Sequence, residues 1–542
     1  MRSLLTAGII LLATFSIFAQ DVEQTKKIPT TYDRSSLATF FIDFGSGNYY
    51  EKMKEKIDSI VFSDKYDNNN YGEKFIPAPY SRTDGPKAVT EAVLSELTNR
   101  KVGKQIIAKW YNRQPDGNMS LDLIRSRGRF SATDADFIKA QTTKRGNAAL
   151  EDFGNRLVNL SYVLLIDITK VQTMEEAGMG DLLRGFQANV TGYLYKINFD
   201  ETTKYAFYDT WIYDDDTEEV KAEKMKKFEE LEIPISFITQ KSTVVSASQP
   251  KSDGAKLFMK SKSDDDLLEE LAQKCYDETI FQIEREVEDF KVKTPIYETR
   301  PIRAKIGLKE GLKTDYRFFV YEFVYNEKIG KPEPKQRGVI RAKSKSKIVD
   351  NRKVATGDMG TSEFYQVAGR KLEPGFTLQQ QNDLGIEVLA GLEVGKTKGF
   401  YLRADYRLGR FIGIRSLFVY GEAGFDSDDY LGESSPFLRY GGGLAKGFQL
   451  MRNLELRPYA GAGLEQTTNT NIYSEAINSL YFRVGANLAL NLKHNFQIMG
   501  GLGSYAFFGD VTDADGNVIG SAWDDYFDRS GPAAMFGVKV MF

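Results

Sequence analysis

One cysteine, Cys275, and one histidine, His494, stand in 542 residues, and each scarcity excludes a class of protein. A lone cysteine builds no internal disulfide framework, so ordinary apolar cores must hold the chain. A lone histidine, set in a short turn beside Asn495, leaves no Ser-His-Asp or Cys-His arrangement with workable geometry and no multi-histidine metal site. Beyond the first twenty residues there is no run of about 18 uninterrupted apolar residues, which argues against a spanning helix. The formal net charge of −3 offers no electrostatic case for a nucleic-acid partner.

What is present begins at Met1-Arg2-Ser3, a positive start followed by an apolar stretch from Leu4 to Ala19. This predicts a secretory signal peptide over residues 1–19, cleaved after Ala19. Cys275 lies far from that point, so no lipid-bearing cysteine anchors the mature N-terminus. The length predicts two or three domains. If such a chain enters a membrane it does so as a barrel, because only half of each strand must then be apolar.

From Leu384 onward the sequence turns glycine- and aromatic-rich with two-residue alternation. Ile386, Val388, Ala390, Leu392 and Val394 oppose Glu387, Leu389, Gly391 and Glu393; Leu402, Ala404 and Tyr406 oppose Arg403, Asp405 and Arg407. The pattern recurs around Leu417 to Phe425, Phe437 to Phe448, Leu454 to Leu464, Leu480 to Leu490 and Phe496 to Phe508, and ends on Ala534, Phe536, Val538, Val540 and Phe542. That makes about eight strands near the length a tilted membrane strand needs. Six acidic residues (Glu387, Glu393, Asp405, Glu422, Glu455, Glu465) and six basic ones (Arg403, Arg407, Arg439, Arg457, Arg483, Lys539) fall on one face, which predicts a lumen of paired ions. A one-residue slip would put these charges into lipid at about 2–4 kcal/mol per midplane Arg or Lys. A soluble β-sandwich also alternates but does not require this segregation.

Connections alternate in length. Asp426 to Ser435, Gln466 to Ser479 and Gly509 to Ser530 are long, Gln449 to Asn453 and Leu492 to His494 short, and Gly395 to Lys398 breaks the rule by being short. Both barrel ends and the N-terminal region are therefore expected in the periplasm. An amphipathic terminal strand closing on an aromatic resembles the signal of bacterial outer-membrane barrels, and the last third of the chain resembles the OmpA-like family of eight-stranded barrels. The resemblance implies an outer-membrane barrel. Large residues on the lumen face, such as Tyr401, Arg403 and Tyr459, make it an anchor rather than an open pore.

Residues 20–293 read as a periplasmic α/β domain. An apolar strand over Ala38 to Phe44 is followed by a helix carrying Val89, Ala92, Val93 and Leu97, then a strand over Gln105 to Trp110. A helix over Ala148 to Leu157 leads to the strand Ser161 to Ile168, with two more strands expected at Gln187 to Asn198 and Thr203 to Tyr213. The order is similar to periplasmic α/β domains of the curli-secretion lipoprotein and flagellar assembly proteins; without the lipid-bearing cysteine, a secretion-pore role is not implied. Two helices follow, one capped by Asp216 and carrying Val220, Phe228 and Leu231, the other starting near Asp265 with Cys275 on its apolar stripe as a buried structural thiol.

Residues 294–380 read as a small β-module, with strands at Ile302 to Ile306, Tyr316 to Tyr325, Gly338 to Ile348 and Leu372 to Phe376. Its basic run Lys335, Arg337, Arg341, Lys343, Lys345 and Lys347 suits either anionic envelope polymers such as peptidoglycan or a solvated strand face. The fold class is α+β multidomain, with the barrel over 384–542. Gly391, Gly395, Lys396 and Thr397 approach a phosphate loop, but the spacing is one short and a strand follows. Asp510, Asp513, Asp515, Gly516 and Asn517 suit either calcium or an Asp-Gly turn. No catalytic, cofactor-binding or metal residue is assigned and no cofactor is expected. The reading is a non-enzymatic outer-membrane protein whose partners are lipid and other envelope proteins or peptidoglycan. A transport or secretion component and a surface hydrolase using loop carboxylates are the alternatives.

Overall fold

The computed structural model describes residues 33–542 apart from 46–48, 71, 132–153, 252–260, 329, 353–359, 431–432, 468–476, 513–517 and 522–528. Its N-terminal part is a mixed sheet covered by helices on both faces. Strands β1 (Ser36–Asp43), β2 (Asp67–Asn68), β3 (Phe75–Pro77), β4 (Ser161–Thr173), β5 (Leu183–Ile197) and β6 (Ile235–Pro250) run in the order β2-β1-β4-β5-β6, with β3 also on β1. The helices are α1 (Tyr50–Ile57), α2 (Pro86–Asn99), α3 (Val102–Trp110), α4 (Asp122–Ser131), α5 (Glu201–Tyr208), α6 (Glu218–Glu230) and α7 (Asp264–Glu286).

The apolar run through β4 follows from burial on both faces. Leu164 and Ile166 join Leu37 and Phe41 in a core under α7, while Val163 and Leu165 join Phe40 and Ile42 in a second core with α2 and α3. Helix α7 starts in a capping box between Ser263 and Asp266 and buries Leu268, Leu271, Cys275 and Ile283, as its stripe predicts.

Three expectations for this region are corrected. Gln105 to Trp110 is helical, because Val102, Ile106, Ile107 and Trp110 are buried at a three-to-four-residue spacing and that period overrides the β-branched look of the segment. Thr203 to Tyr213 is not a strand: α5 begins at Glu201, capped by Asp200, whose side chain accepts the Thr203 N–H. The cap of α6 is Thr217, not Asp216; Asp216 instead accepts the Tyr213 N–H at 2.8 Å and pairs with Lys224 at 2.6 Å. No α6 residue is fully buried, although Phe228 packs partly against the second core. The expected helix at Ala148 to Leu157 lies mostly outside the described residues, which are helical over 154–159. Strand β6, rich in Ser and Thr, carries too little apolar periodicity to be seen in the sequence.

The middle region closes into its own barrel. Strands β7 (Lys293–Thr299), β8 (Ile302–Ala304), β9 (Arg317–Asn326), β10 (Lys331–Ala342), β11 (Ser362–Gly369) and β12 (Thr377–Gln380) close in the order β10-β11-β8-β7-β12-β9, around Ile296, Phe318, Val320, Ile340, Phe364 and Leu378. Leu372 to Phe376 is not a strand; β12 starts immediately after it, and β7 and β11 were not expected. The basic run is largely neutralised within the fold. Arg337 pairs with Glu322, Lys343 with Glu363 at 2.8 Å, and Arg341 is buried against Asp383.

The last region has the eight-strand barrel fold that the resemblance implied. Strands β13 (Ile386–Gly395), β14 (Gly399–Arg407), β15 (Leu417–Tyr430), β16 (Glu433–Lys446), β18 (Leu454–Thr467), β19 (Ile477–Asn491), β20 (Phe496–Thr512) and β22 (Gly531–Met541) pair as antiparallel neighbours. β13 against β22 and β16 against β18 complete the ring. Short strands β17 (Phe448–Met451) and β21 (Val518–Ser521) extend two hairpins, and helix α8 (Gly409–Ile412) lies in the β14–β15 connection. β15, β16, β19 and β20 span 14, 14, 15 and 17 residues, beyond the roughly 9–11 that cross a bilayer. The long connections expected at Asp426 and Gln466 are therefore partly strand.

Candidate functional site

The barrel interior and the cap beneath it gather the charged and aromatic side chains that the alternation singled out. Along β13, Leu392 and Val394 are exposed on the outside while Glu387, Leu389 and Glu393 are buried inside, and Leu402, Val419, Leu444, Phe482, Leu488 and Phe536 belong to the same outer face. All twelve charged residues assigned to the lumen are buried. Asp426 and Arg529, also buried, join them. Sequence reasoning missed both because each sits at the edge of what reads as a loop.

The charges fall into two clusters along the barrel. Near the long connections, Glu393 accepts from Arg439 at 3.1 Å, Arg483 at 2.5 Å and Tyr505 at 3.0 Å. Glu422 accepts from Arg483 at 2.8 Å, Tyr401 at 2.6 Å and Tyr481 at 3.1 Å. Asp426 takes Arg439 at 2.8 Å and Arg529 at 2.5 Å, and Glu465 takes Arg529 at 2.8 Å. At the other end, Glu387 accepts from Arg407 at 2.7 Å, Arg457 at 2.7 Å and Lys539 at 3.1 Å, and Asp405 from Lys539 at 2.6 Å and Arg403 at 2.7 Å. Glu455 holds Arg457 at 2.9 Å. The tyrosines between the clusters need space: a Cβ at Gly485 or Gly503 would collide with the Tyr459 hydroxyl.

The second cluster has four cations (Arg403, Arg407, Arg457, Lys539) and three carboxylates (Glu387, Asp405, Glu455). The six-strand module supplies a fourth carboxylate. Asp315, 4% exposed, lies 3.6 Å from Arg407 and accepts the Ser416 N–H at 2.7 Å and the Tyr365 hydroxyl at 2.8 Å. Tyr365 also meets the Ser416 hydroxyl at 2.9 Å, and the Lys345 N–H donates to the Gly413 carbonyl at 3.0 Å. Next to this seam, burial alone would raise Asp383, but Arg341 and Arg317 hold its carboxyl well below the usual carboxylate range. His494 packs against Phe319 with ring centroids 4.9 Å apart, so it is a joint residue.

The module is fastened to the N-terminal domain by a buried polar knot. Lys65 pairs with Glu284 at 2.9 Å and donates to Gln380 at 3.1 Å, while Tyr66 donates to Glu284 at 2.9 Å. Arg410 of α8 reaches Glu278 of α7 at 3.4 Å. Cys275 is buried in the α7 core, and burial pushes its thiol up. Gly391 pairs with Gly537 inside the sheet and Lys396 leads into β14, which removes the phosphate-loop geometry. The Asp510 side chain and residues 513–517 lie outside what is described, so the calcium reading rests on sequence alone. Among the described residues no group of three potential ligands is placed to hold a metal ion, and no helix is long and apolar enough to cross a membrane.

No protein-family model matches the chain, and no curated relative matches it. Among solved structures it is similar to a major outer membrane protein of Thermus thermophilus, with 17% identity over 29% of this chain and 99% of that one and a TM-score of 0.20. The N-terminal β-barrel domain of Pseudomonas aeruginosa OprF matches with 17% identity over 30% and 98%, TM-score 0.21. Ail, the attachment invasion locus protein of Yersinia pestis, matches with 16% identity over 29% and 96%, TM-score 0.19.

Proposed function

We propose that the chain is a non-enzymatic outer-membrane protein whose barrel anchors the six-strand module and the α/β domain on the periplasmic side. The observation that carries this reading is the division of the barrel wall, with apolar side chains outside and seven carboxylates neutralised by seven cations inside. Only a lipid exterior rewards such a division. The packed lumen and the module across one mouth favour an anchor over a conduit. The chain enters and leaves the barrel side by side, the Leu384 N–H donating to the Phe542 carbonyl at 2.9 Å, at the end where the module sits. The connections at 447–453 and 492–495 at that end are short, while the long hairpins β15–β16 and β18–β19 extend from the other, which supports a periplasmic location.

The proposal includes removal of residues 1–19 and a division into 20–293, 294–380 and 384–542. The α/β domain would present partner-binding surface to envelope proteins or peptidoglycan. The deciding experiment is cell fractionation with gel mobility before and after boiling. A membrane-bound, heat-shifted band is expected; recovery of the mature protein in the soluble fraction without detergent overturns the reading. Planar bilayers containing the purified protein should show no sustained conductance, and a steady open channel would return the transport alternative.

A further inference from the structure

The cleft where the module meets the barrel wall has no carboxylate in its lining, unlike two smaller pockets at the seam, which hold Glu455 in one case and Asp315 with Asp383 in the other. It has a volume of about 540 Å³ and opens sideways between the β7–β8 turn, the β11 side of the module and the β17–β18 hairpin of the large barrel. Five cationic side chains line it: Arg300, Lys343, Lys371, Arg415 and Arg452. No carboxylate does. Lys343 is answered from outside the lining by Glu363 at 2.8 Å, and the Arg415 guanidinium lies 5.3 Å from the Tyr365 ring centroid. Arg300, Lys371 and Arg452 are exposed, and no ion pair or hydrogen bond holds their side chains among the described residues.

The level of the cleft matters as much as its charge. Leu450 and Met451 form its barrel-side lip and are 53% and 69% exposed. Phe448 on the same hairpin and Leu444 above it continue the apolar surface up the barrel wall at 44% and 55% exposure. Phe411, Ile412 and Ile414 project from the neighbouring connection at the same end. The lower edge of the apolar belt therefore ends on a basic cleft, and in a bilayer that edge is where phosphate headgroups lie. Water-exposed leucine and methionine beside unpaired arginine and lysine are unfavourable in solution and complementary to a molecule with acyl chains and an anionic head.

We infer that this cleft is a binding site for one anionic phospholipid of the periplasmic leaflet, its phosphate held by Arg300, Lys371 and Arg452 and its acyl chains lying along Leu450, Phe448 and Leu444. The site rests on the membrane reading above and adds a lipid specificity to it. The bound lipid bridges module and barrel, so it fastens the seam from the outside as Asp315 and Arg407 do from the inside.

The test uses the full mature chain purified in detergent, stripped of lipid and then given phosphatidylglycerol, phosphatidylcholine or inorganic phosphate, with bound mass read by native mass spectrometry. One phosphatidylglycerol should be retained in preference to phosphatidylcholine and should not be displaced by inorganic phosphate. The exposed triple variant Arg300→Gln, Lys371→Gln, Arg452→Gln should lose about tenfold or more in retention of that lipid while keeping its heat-shifted band. Equal retention by the variant, equal retention of the zwitterionic lipid, or displacement by inorganic phosphate overturns the site. A chain with no heat-shifted band overturns the membrane reading instead, so the two failures are told apart.

Discussion

Asp315 of the six-strand module lies 3.6 Å from Arg407 of the large barrel, and this pair crosses from one closed β-structure into the other. Arg407 also holds Glu387 at 2.7 Å, so the module's carboxylate is wired into the lumen network. The seam is thus a continuation of the barrel interior.

Asp315→Asn should loosen that seam without opening the barrel, because Arg407 keeps Glu387. The expected loss is about 1–3 kcal/mol. Hydrogen exchange should rise at residues 413–416, where the Ser416 N–H loses its charged acceptor, while the strands β18 to β20 stay protected. Unchanged exchange at Ser416 would refute the coupling.

Glu393→Gln removes the negative charge shared by Arg439, Arg483 and Tyr505, replaces one accepting oxygen with a donor, and leaves two buried guanidiniums short of charge. A loss of about 3–5 kcal/mol is expected, read as a lower temperature for the boiled-band transition. Combining it with Arg483→Met should recover part of the loss, since the second cation then leaves as well.

Gly485→Leu should be among the most damaging changes in β19. The added side chain enters the space taken by the Tyr459 hydroxyl, and overpacking of this kind costs about 1–3 kcal/mol. Tyr459→Ala in the same chain should recover only part of the loss, because the Leu502 carbonyl still crowds the new side chain, and the recovery is measurable by urea titration of the folded band.

Asp383 sets an acid limit on the joint. Its folded carboxyl titrates well below the ordinary range because Arg341 and Arg317 overcome the effect of burial. Its contribution is therefore complete above the unfolded value, about 3.9, and is lost as pH falls through the depressed folded value. Asp383→Asn should lower the urea midpoint most at neutral pH, and the gap to wild type should narrow only at strongly acid pH. A gap that stays constant throughout would contradict the assignment.

Cys275 should resist thiol reagents at pH 8 in the native protein and react fully in denaturant, as burial both shields the thiol and keeps it protonated. Rapid native labelling would show that the α7 core opens.

Much of the large barrel was legible because its two faces meet opposite solvents. Each strand had to alternate, and the side carrying Glu387, Arg403, Arg457 and Arg483 could only point inward. The module and the α/β domain were less legible, since strands buried on both faces do not alternate and short segments such as Gln105 to Trp110 satisfy helix and strand patterns alike. The phosphate-loop likeness at Gly391 to Thr397 fails already on its spacing and on the strand that follows it, whereas the calcium reading at Asp510 to Asn517 falls mostly outside the described residues.

The sequence by itself determined that about eight amphipathic strands end this chain and which of their side chains face the lumen, because strand periodicity is local and lipid punishes any other register. Only the tertiary structure decided that Arg529 folds back to Asp426 and Glu465, that the middle region closes into a second barrel, and that Asp315 supplies the carboxylate opposite Arg407. The paired side chains lie 64 to 103 residues apart. Charge neutralisation in a buried space depends on where the chain brings them together, and no local pattern records that.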